Sequence, residues 1–321
     1  MLTGSLQEIA NALLEVDDFV IGGHVSPDGD CIGSQLSLAA ALRSLGKRAM
    51  CVLARDEDIE FGLRTLPGAG SLIPAVQVEG PIGTFVTVDV PSADRLGDAA
   101  ALHSRAARTI TIDHHLSRKP LSQANYIDSE APACAMIVWK LLPYLGVEPD
   151  RTMATCCFTG LSTDTGSFRY QNTTSEAFRL AGEMVAAGAD PAQVAADVYQ
   201  SRSFASLKLE RLMLSRIHAH ARGQVVVSYT TLDDYRRTGA EKIDAAPLID
   251  TLRSVRGVRV ACMLREQEGC VRGSLRAKDG TDVASIARRL GGGGHRAAAG
   301  FTVHGTLQEA LDAVIAELAR L

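Results

Sequence analysis

Along the first half of the chain, short β-branched runs alternate with stretches whose apolar residues recur every three or four positions. DFVIGG (18–23) leads into the helix-like CIGSQLSLAAALRSLG, and KRAMCVLA follows. TFVTVDV (84–90) comes next and then, past a short helical stretch, RTITIDHH (108–115). Strand-length runs separated by helices predict a parallel, doubly wound sheet. From about Ala133 the period turns helical through ACAMIVWKLLPYL, RTMATCCFTGLST, SEAFRLAGEMVAAG and PAQVAADVYQ. Gly188 and Pro191 punctuate the last two of these, as a helix stop and a helix start do.

SFASLKLERLMLSRIHAHA (203–221) keeps leucine and methionine at helical spacing and is expected to be a connecting helix carrying His218 and His220. Beyond it QVVVSYT, VRVACMLREQ and CVRGSLRAK predict strands, LIDTLRSVRG and TDVASIARRL helices, and TLQEALDAVIAELARL a closing amphipathic helix. The expected architecture is α/β: a doubly wound, mainly parallel N-terminal domain over 1–200, a helical linker over 201–221, and a smaller α+β C-terminal domain over 222–321.

Composition narrows the class. The 321 residues are 46% hydrophobic, 22% charged and 5% aromatic, which excludes disorder and coiled coil as whole-chain descriptions. No apolar stretch reaches the ~18–20 residues that span a bilayer. The first eighteen residues carry acids and lack a basic n-region, so no secretory leader is expected. Seven cysteines in apolar contexts read as reduced, buried side chains of a cytoplasmic protein. The net charge of −4 conceals a split: residues 201–321 hold 19 Lys and Arg against 13 Asp and Glu, and residues 1–200 hold 14 against 24. Such a split suggests cation binding in one half and anion binding in the other.

The chemically capable residues follow the strands. DFVIGG runs into His24, Asp28 and Asp30; TFVTV ends in Asp89; RTITI ends in Asp113, His114 and His115. In an open α/β sheet the crevice outside the carboxyl ends of the strands is where ligands bind. Asp164, in GLSTDTGSF just past an apolar helix, is a fourth candidate. Singly, Asp28 or Asp30 reads equally well as a helix cap and SPDGD as a turn. Together, several acids and histidines on one face repel one another unless cations neutralise them. A His and Asp set without Cys favours Mn²⁺, with Mg²⁺ or Co²⁺ as substitutes. Five or six ligands exceed what one catalytic metal needs, whereas two metals ~3.5–4 Å apart sharing a carboxylate would use them all. Such a pair acidifies a bridging water and clamps the oxygens of an in-line displacement at a phosphate ester or anhydride.

In the second half, GSLRAKDGTDVASIARRLGGGGHRAAAG (273–300) offers an anion grip, with Arg276 and His295 as hydrogen-bond donors and the Gly292, Gly293 and Gly294 backbone as a nest. The same glycines could equally serve close packing of the AAAG run, and no Lys-Ser/Thr pair follows to make a Walker motif.

HVSPDGD, the Asp89 of VDV, DHH at 113–115 and GLSTDTGSFRYQNTT resemble the ordered motifs of DHH-family phosphoesterases, and GSLRAK with GGGGHRAAAG resembles their DHH-associated C-terminal domain. The resemblance covers essentially the whole chain and points to the nanoRNase/oligoribonuclease group, whose members also dephosphorylate adenosine 3′,5′-bisphosphate (pAp). It implies that His24 and Asp28 hold one Mn²⁺, that Asp30, His114 and Asp164 hold the other, and that Asp89 bridges them. Asp113 is implied to orient an imidazole, His115 to face the scissile phosphate, and Arg276, Gly292–Gly294 and His295 to hold the substrate. The implied substrates are RNA or DNA oligonucleotides of about two to five nucleotides, pAp, and linear or cyclic dinucleotides; a homodimer is compatible with this. The alternatives are a dedicated cyclic or linear dinucleotide phosphodiesterase, a RecJ-like single-strand exonuclease, a manganese inorganic pyrophosphatase, and a nucleotide sensor without turnover.

Overall fold

The computed structural model describes residues 4–116 and 119–321; residues 1–3, the start of the segment expected to be no leader, lie outside the described residues. The chain divides into two units, 1–201 and 202–321.

In chain order the first unit contains α1 (Leu6–Leu14), β1 (Asp18–Gly22), α2 (Gly29–Ser44), β2 (Arg48–Leu53), β3 (Ile73–Pro74) and β4 (Thr84–Val88). It continues with α3 (Ala99–Arg105), β5 (Arg108–Asp113), β6 (Ala124–Ile127), α4 (Cys134–Leu141), α5 (Arg151–Asp164), α6 (Ser175–Ala186) and α7 (Pro191–Tyr199). The strands form one parallel sheet in the order β3-β2-β1-β4-β5-β6. Alternate strand residues feed opposite cores, as the two-residue period requires. Phe19, Ile21, Val86, Val88, Ile110 and Ile112 join the large core with α2, α4 and α5. Val20, Val52 and Phe85 instead join a smaller core with Leu96, Ala99 and Leu102 on the other face. The sheet is therefore covered on both sides, which explains why its strands read as continuous apolar runs.

Helix α2 is largely buried, packed on α5. Gly33 allows the approach: a Cβ there would stand 2.3 Å from the Cys156 carbonyl oxygen. The strand order reverses between β1 and β4, so the crevice at their carboxyl ends is the topological switch point where ligands bind in such sheets.

The second unit contains α8 (Phe204–Leu214), β7 (His218–His220), β8 (Val225–Thr230), α9 (Leu232–Thr238), α10 (Leu248–Ser254) and β9 (Val260–Gln267). It ends with β10 (Cys270–Ala277), α11 (Val283–Arg289), β11 (Gly293–Gly294), β12 (Ala298–His304) and α12 (Leu307–Leu318). Its mixed sheet has the order β11-β12-β10-β9-β8-β7, with only β8 and β9 parallel. One face packs on α11 and α12. The other carries Val226, Ala261 and Met263 against Leu209 and Met213 of α8 and Leu248 and Leu252 of α10. The helix expected over 203–221 is thus shorter, ends at Leu214 and belongs to this second core. His218 and His220 lie on a strand, because residues 218–220 pair with β8 at the sheet edge.

The seven cysteines are free and six are buried. Among the described residues, no helix is long and apolar enough to cross a membrane.

Candidate metal centre

Each sheet strand at the switch point ends by delivering a side chain to one place. β1 runs out at Gly22 and, two residues on, His24 turns inward; its Nε2 lies 3.3 Å from Asp89 Oδ2 and 3.7 Å from Asp28 Oδ1. Its Nδ1 sits 3.0 Å from Val25 O, a carbonyl that also accepts from Arg95 Nη2 at 2.9 Å. That arrangement leaves Nε2 as the nitrogen aimed at the acids.

Asp89 follows β4 with φ of 57°, a left-handed backbone uncommon for a non-glycine residue. The turn spends local conformational energy to aim the carboxylate back over the strand ends. Its Oδ2 faces His24 and its Oδ1 lies 3.3 Å from His114 Nε2. His114 follows β5 and is fixed by Nδ1 at 3.1 Å from Ala131 O. Its Nε2 is also 3.4 Å from Asp164 Oδ2 and 3.7 Å from Asp30 Oδ2.

The helices supply the remaining acids. Asp28 is the N-cap of α2, accepting from the backbone N–H groups of Asp30 and Cys31, yet half of its side chain stays exposed. Capping and delivery of a carboxylate to the site are therefore not alternatives at this position. Asp30, in the first turn of α2, accepts from the N–H groups of Cys134 at 2.6 Å and Ala135 at 2.8 Å. α4 has no side-chain cap of its own, so Asp30 takes up donors that its first turn would leave unmade. Gly160 of α5 permits this crowding, since a Cβ there would stand 2.8 Å from Asp30 Oδ1. Asp164 is the last residue of α5, held before a turn in which Gly166, Ser167 and Phe168 all have positive φ.

Asp113 ends β5 and takes a different part. Its Oδ1 accepts from the His114 N–H at 2.9 Å and lies 2.8 Å from His115 Nδ1. His115 also stands 3.5 Å from Asp89 Oδ1 and keeps part of its ring exposed.

The electrostatics of the cluster suit a cation. Burial, then Asp89, pushes the Asp30 carboxyl up to about 7, and burial, then Asp30, pushes Asp164 well above the usual carboxylate range. Burial opposes ionisation of Asp89 too, but His114 and His24 outweigh it and hold that carboxyl well below its ordinary value. Burial likewise disfavours charge on both imidazoles, yet Cys31 with Asp28 and Asp89 raises His24, and Asp89, Asp164 and Asp30 raise His114, well above the ordinary histidine value. Asp89 Oδ1 and Asp113 Oδ2 are buried and, among the described residues, accept no hydrogen bond. Two imidazole nitrogens and four carboxylates, with acceptor capacity unspent, fit hard-to-borderline divalent cations such as Mn²⁺ or Mg²⁺.

All six expected metal-ligand residues, His24, Asp28, Asp30, Asp89, His114 and Asp164, meet here, with Asp113 and His115 beside them. Sequence reasoning missed Arg95, Ala131 and the α4 N-terminus. They act through backbone groups or from distant segments, and no local pattern marks them.

In the second unit, Arg276 lies on β10, where its Nη1 donates to Leu275 O at 3.1 Å. The glycine tract forms β11, paired with β12 through Gly293–Gly300 and Gly294–Ala299. Gly292 donates its N–H to Ala287 O at 2.8 Å, and a Cβ on it would stand 2.1 Å from Gly300 O. His295 opens the turn into β12, exchanging backbone hydrogen bonds with Ala298.

Comparison with known proteins agrees with this geometry. Residues 18–161 match the DHH family, N-terminal domain, and residues 222–320 the DHHA1 domain. The bifunctional oligoribonuclease and PAP phosphatase NrnA of Thermus thermophilus is 35% identical over 305 residues, covering 94% of this chain and 90% of that protein. The crystal structure of an exopolyphosphatase-related protein from Bacteroides fragilis has the same fold, with a TM-score of 0.89 at 24% identity over 98% of this chain and 95% of that one. RecJ in complex with Mn²⁺, also from Thermus thermophilus, superposes with a TM-score of 0.55 at 19% identity, over 98% of this chain and 55% of that one. The chain belongs to the DHH family of phosphoesterases, its first unit carrying the family's N-terminal domain and its second a DHHA1 domain.

Proposed function

We propose that this protein is a metal-dependent phosphoesterase that hydrolyses short oligonucleotides to mononucleotides and removes a phosphate from pAp. The observation that carries the reading is Asp89: one buried carboxylate turns a different oxygen to each of two imidazoles, inside a cluster of three more carboxylates. The activity printed in the name of the Thermus relative supports the substrate class. The manganese in the RecJ structure supports the metal.

His24 and Asp28 would hold one Mn²⁺, Asp30, His114 and Asp164 a second, and Asp89 both. When bound, such a pair supplies charge neutralisation at the phosphate and an acidified water. The chain's own side chains do the rest. Asp113 accepts the Nδ1 proton of His115, which fixes the tautomer and leaves Nε2 directed outward. Protonated there, His115 donates to a phosphoryl or leaving oxygen as general acid or electrostatic stabiliser. Arg276 and His295, with the Gly292–Gly294 segment, hold a substrate phosphate; Gly292 contributes close approach to β12, its N–H being spent on Ala287. With aromatics at 5% of the chain, base stacking is scarce and weak base preference is expected. On this reading 1–200 is the catalytic domain and 222–321, with α8 and β7 part of the same unit, binds substrate. The protein works in the cytoplasm, as a monomer or a homodimer.

The test is digestion of 5′-labelled RNA of two, five and twenty-four nucleotides with Mn²⁺, with pAp and pyrophosphate alongside. Rapid loss of the two- and five-mers and of pAp, sparing the 24-mer, is expected. Fast pyrophosphate release with inert oligonucleotides would overturn the substrate assignment.

A further inference from the structure

Three loops leave the carboxyl ends of neighbouring strands: 23–28 after β1, 54–60 after β2 and 89–98 after β4. The first carries His24 and Asp28, and its backbone is unusual between them. Ser26 has φ of 54°, in the left-handed region that few residues other than glycine adopt. Pro27 follows directly, and its ring further restricts the residue before it. Such a conformation persists only where its surroundings impose it.

The other two loops supply those surroundings. Half-buried Glu57 accepts the Ser26 N–H on Oε1 at 2.6 Å, and its Oε2 lies 3.5 Å from Ser26 Oγ. A carboxylate on a backbone N–H makes the stronger, charge-assisted kind of hydrogen bond. Arg95, in the loop after β4, takes up the residue before: its carbonyl accepts the Val25 N–H at 2.8 Å, and its Nη2 donates to Val25 O at 2.9 Å. The two outer loops are themselves joined, since Asp98 donates its N–H to Ala54 O at 2.7 Å. Gly97 allows that approach; a Cβ there would stand 2.6 Å from Ala54 O and from Val25 Cγ1. Of the two contacts, the one from Glu57 reaches the left-handed residue itself.

The remaining expected ligands have other anchors. Asp30 rests on the Cys134 and Ala135 N–H groups, His114 on Ala131 O, and Asp164 on the end of α5. A change at Glu57 therefore bears on one half of the ligand set.

We propose that Glu57 is a positioning residue for the cation position built on His24 and Asp28. It holds Ser26 left-handed, so that the two side chains flanking that turn converge, His24 Nε2 to 3.7 Å from Asp28 Oδ1. It acts through the loop backbone and not as a ligand. The inference rests on the two-cation reading above and adds to it how one of the two positions is shaped.

Calorimetric titration of Mn²⁺ into chelator-treated protein tests it. Glu57→Ala should weaken one of two ions by about 10–100-fold and leave the other nearly unchanged. Glu57→Gln, which still offers an acceptor, should recover most of the loss. Ser26→Gly should make Glu57 dispensable, because glycine holds a positive φ unaided. In that background Glu57→Ala should cost only a small part of what it costs beside serine. Equal losses in the two backgrounds, equal weakening of both ions, or no loss would overturn the proposal and leave the two-cation reading intact. A Glu57→Ala protein that folds only beside Ser26→Gly supports the proposal; a double variant that does not fold contradicts it. Should the parent take up a single ion, the two-cation reading fails, and the role of Glu57 is judged by thermal melting of metal-free protein. A drop on Glu57→Ala that Ser26→Gly largely removes supports that role; equal drops in both backgrounds, or none, contradict it.

Discussion

The first unit gathers four carboxylates where the second gathers three arginines, Arg265, Arg272 and Arg276 on β9 and β10, and the two clusters differ in how each answers to protons. Asp30 and Asp164 can take protons, and His24 and His114 can hold them, so the acidic cluster discharges itself at a cost in pH sensitivity. The arginines cannot discharge by giving up a proton near neutral pH. The acidic site is therefore expected to respond to pH and divalent cations, and the basic cluster to keep its charge across the same range. The acidic cluster concentrates one sign of charge where stability alone would disperse it, the mark of a site shaped for a ligand.

The comparison breaks most visibly at Asp89. Asp89→Asn removes the carboxylate both imidazoles share, and turnover should fall by more than the ~10–100-fold that outer partners of a metal cost. Its failure to do so in a folded protein, measured on a 5′-phosphorylated dinucleotide, would contradict a shared ligand. Asp113→Asn, which loosens His115 without touching the expected ligands, should fall within that ~10–100-fold range and leave metal affinity nearly unchanged. A loss of metal binding there would move Asp113 into the ligand set.

Next in size is a pH effect on stability. Asp30, Asp164, His24 and His114 all have raised values in the folded chain. The metal-free fold therefore binds protons that the unfolded chain releases, and the stability they contribute is present in acid and lost as pH rises through the folded values. Asp89 runs the other way, but its lowered value confines its loss to acid well below this window. Chelator-treated protein should melt several degrees lower at pH 8.5 than at pH 6, with about 2–4 °C for each kcal/mol, and Mn²⁺ should flatten the difference. The smallest effect belongs to the exposed Arg48–Asp18 pair. Asp18→Asn should change stability by less than about 1 kcal/mol, a control that charge removal alone does not reproduce the site effects.

The sequence carried the first unit well because its ligands follow strongly periodic strands: a run such as TFVTV can only be a strand, and Asp89 must then leave its end. It carried the edges poorly. Two-residue strands such as Ile73–Pro74 and Gly293–Gly294 have no period to read. The glycine tract was expected to be a phosphate nest, and whether its N–H groups are spent on a hairpin depends on β12, which lies beyond any local window. For the same reason Glu57 went unnoticed. Its meaning lies in the Ser26 N–H that it accepts, and the two lie 31 positions apart in the chain. Asp30 was legible as an acid near a helix start; that it serves the N-terminus of α4 became visible only with the chain folded.

Calorimetric titration of Mn²⁺ into chelator-treated protein, beside its Asp89→Asn variant, tests the central claim most directly. Two ions per chain in the parent and weakened binding of both in the variant are predicted. A single ion in the parent, or two bound equally well without the Asp89 carboxylate, would contradict the shared centre from which the proposed chemistry follows.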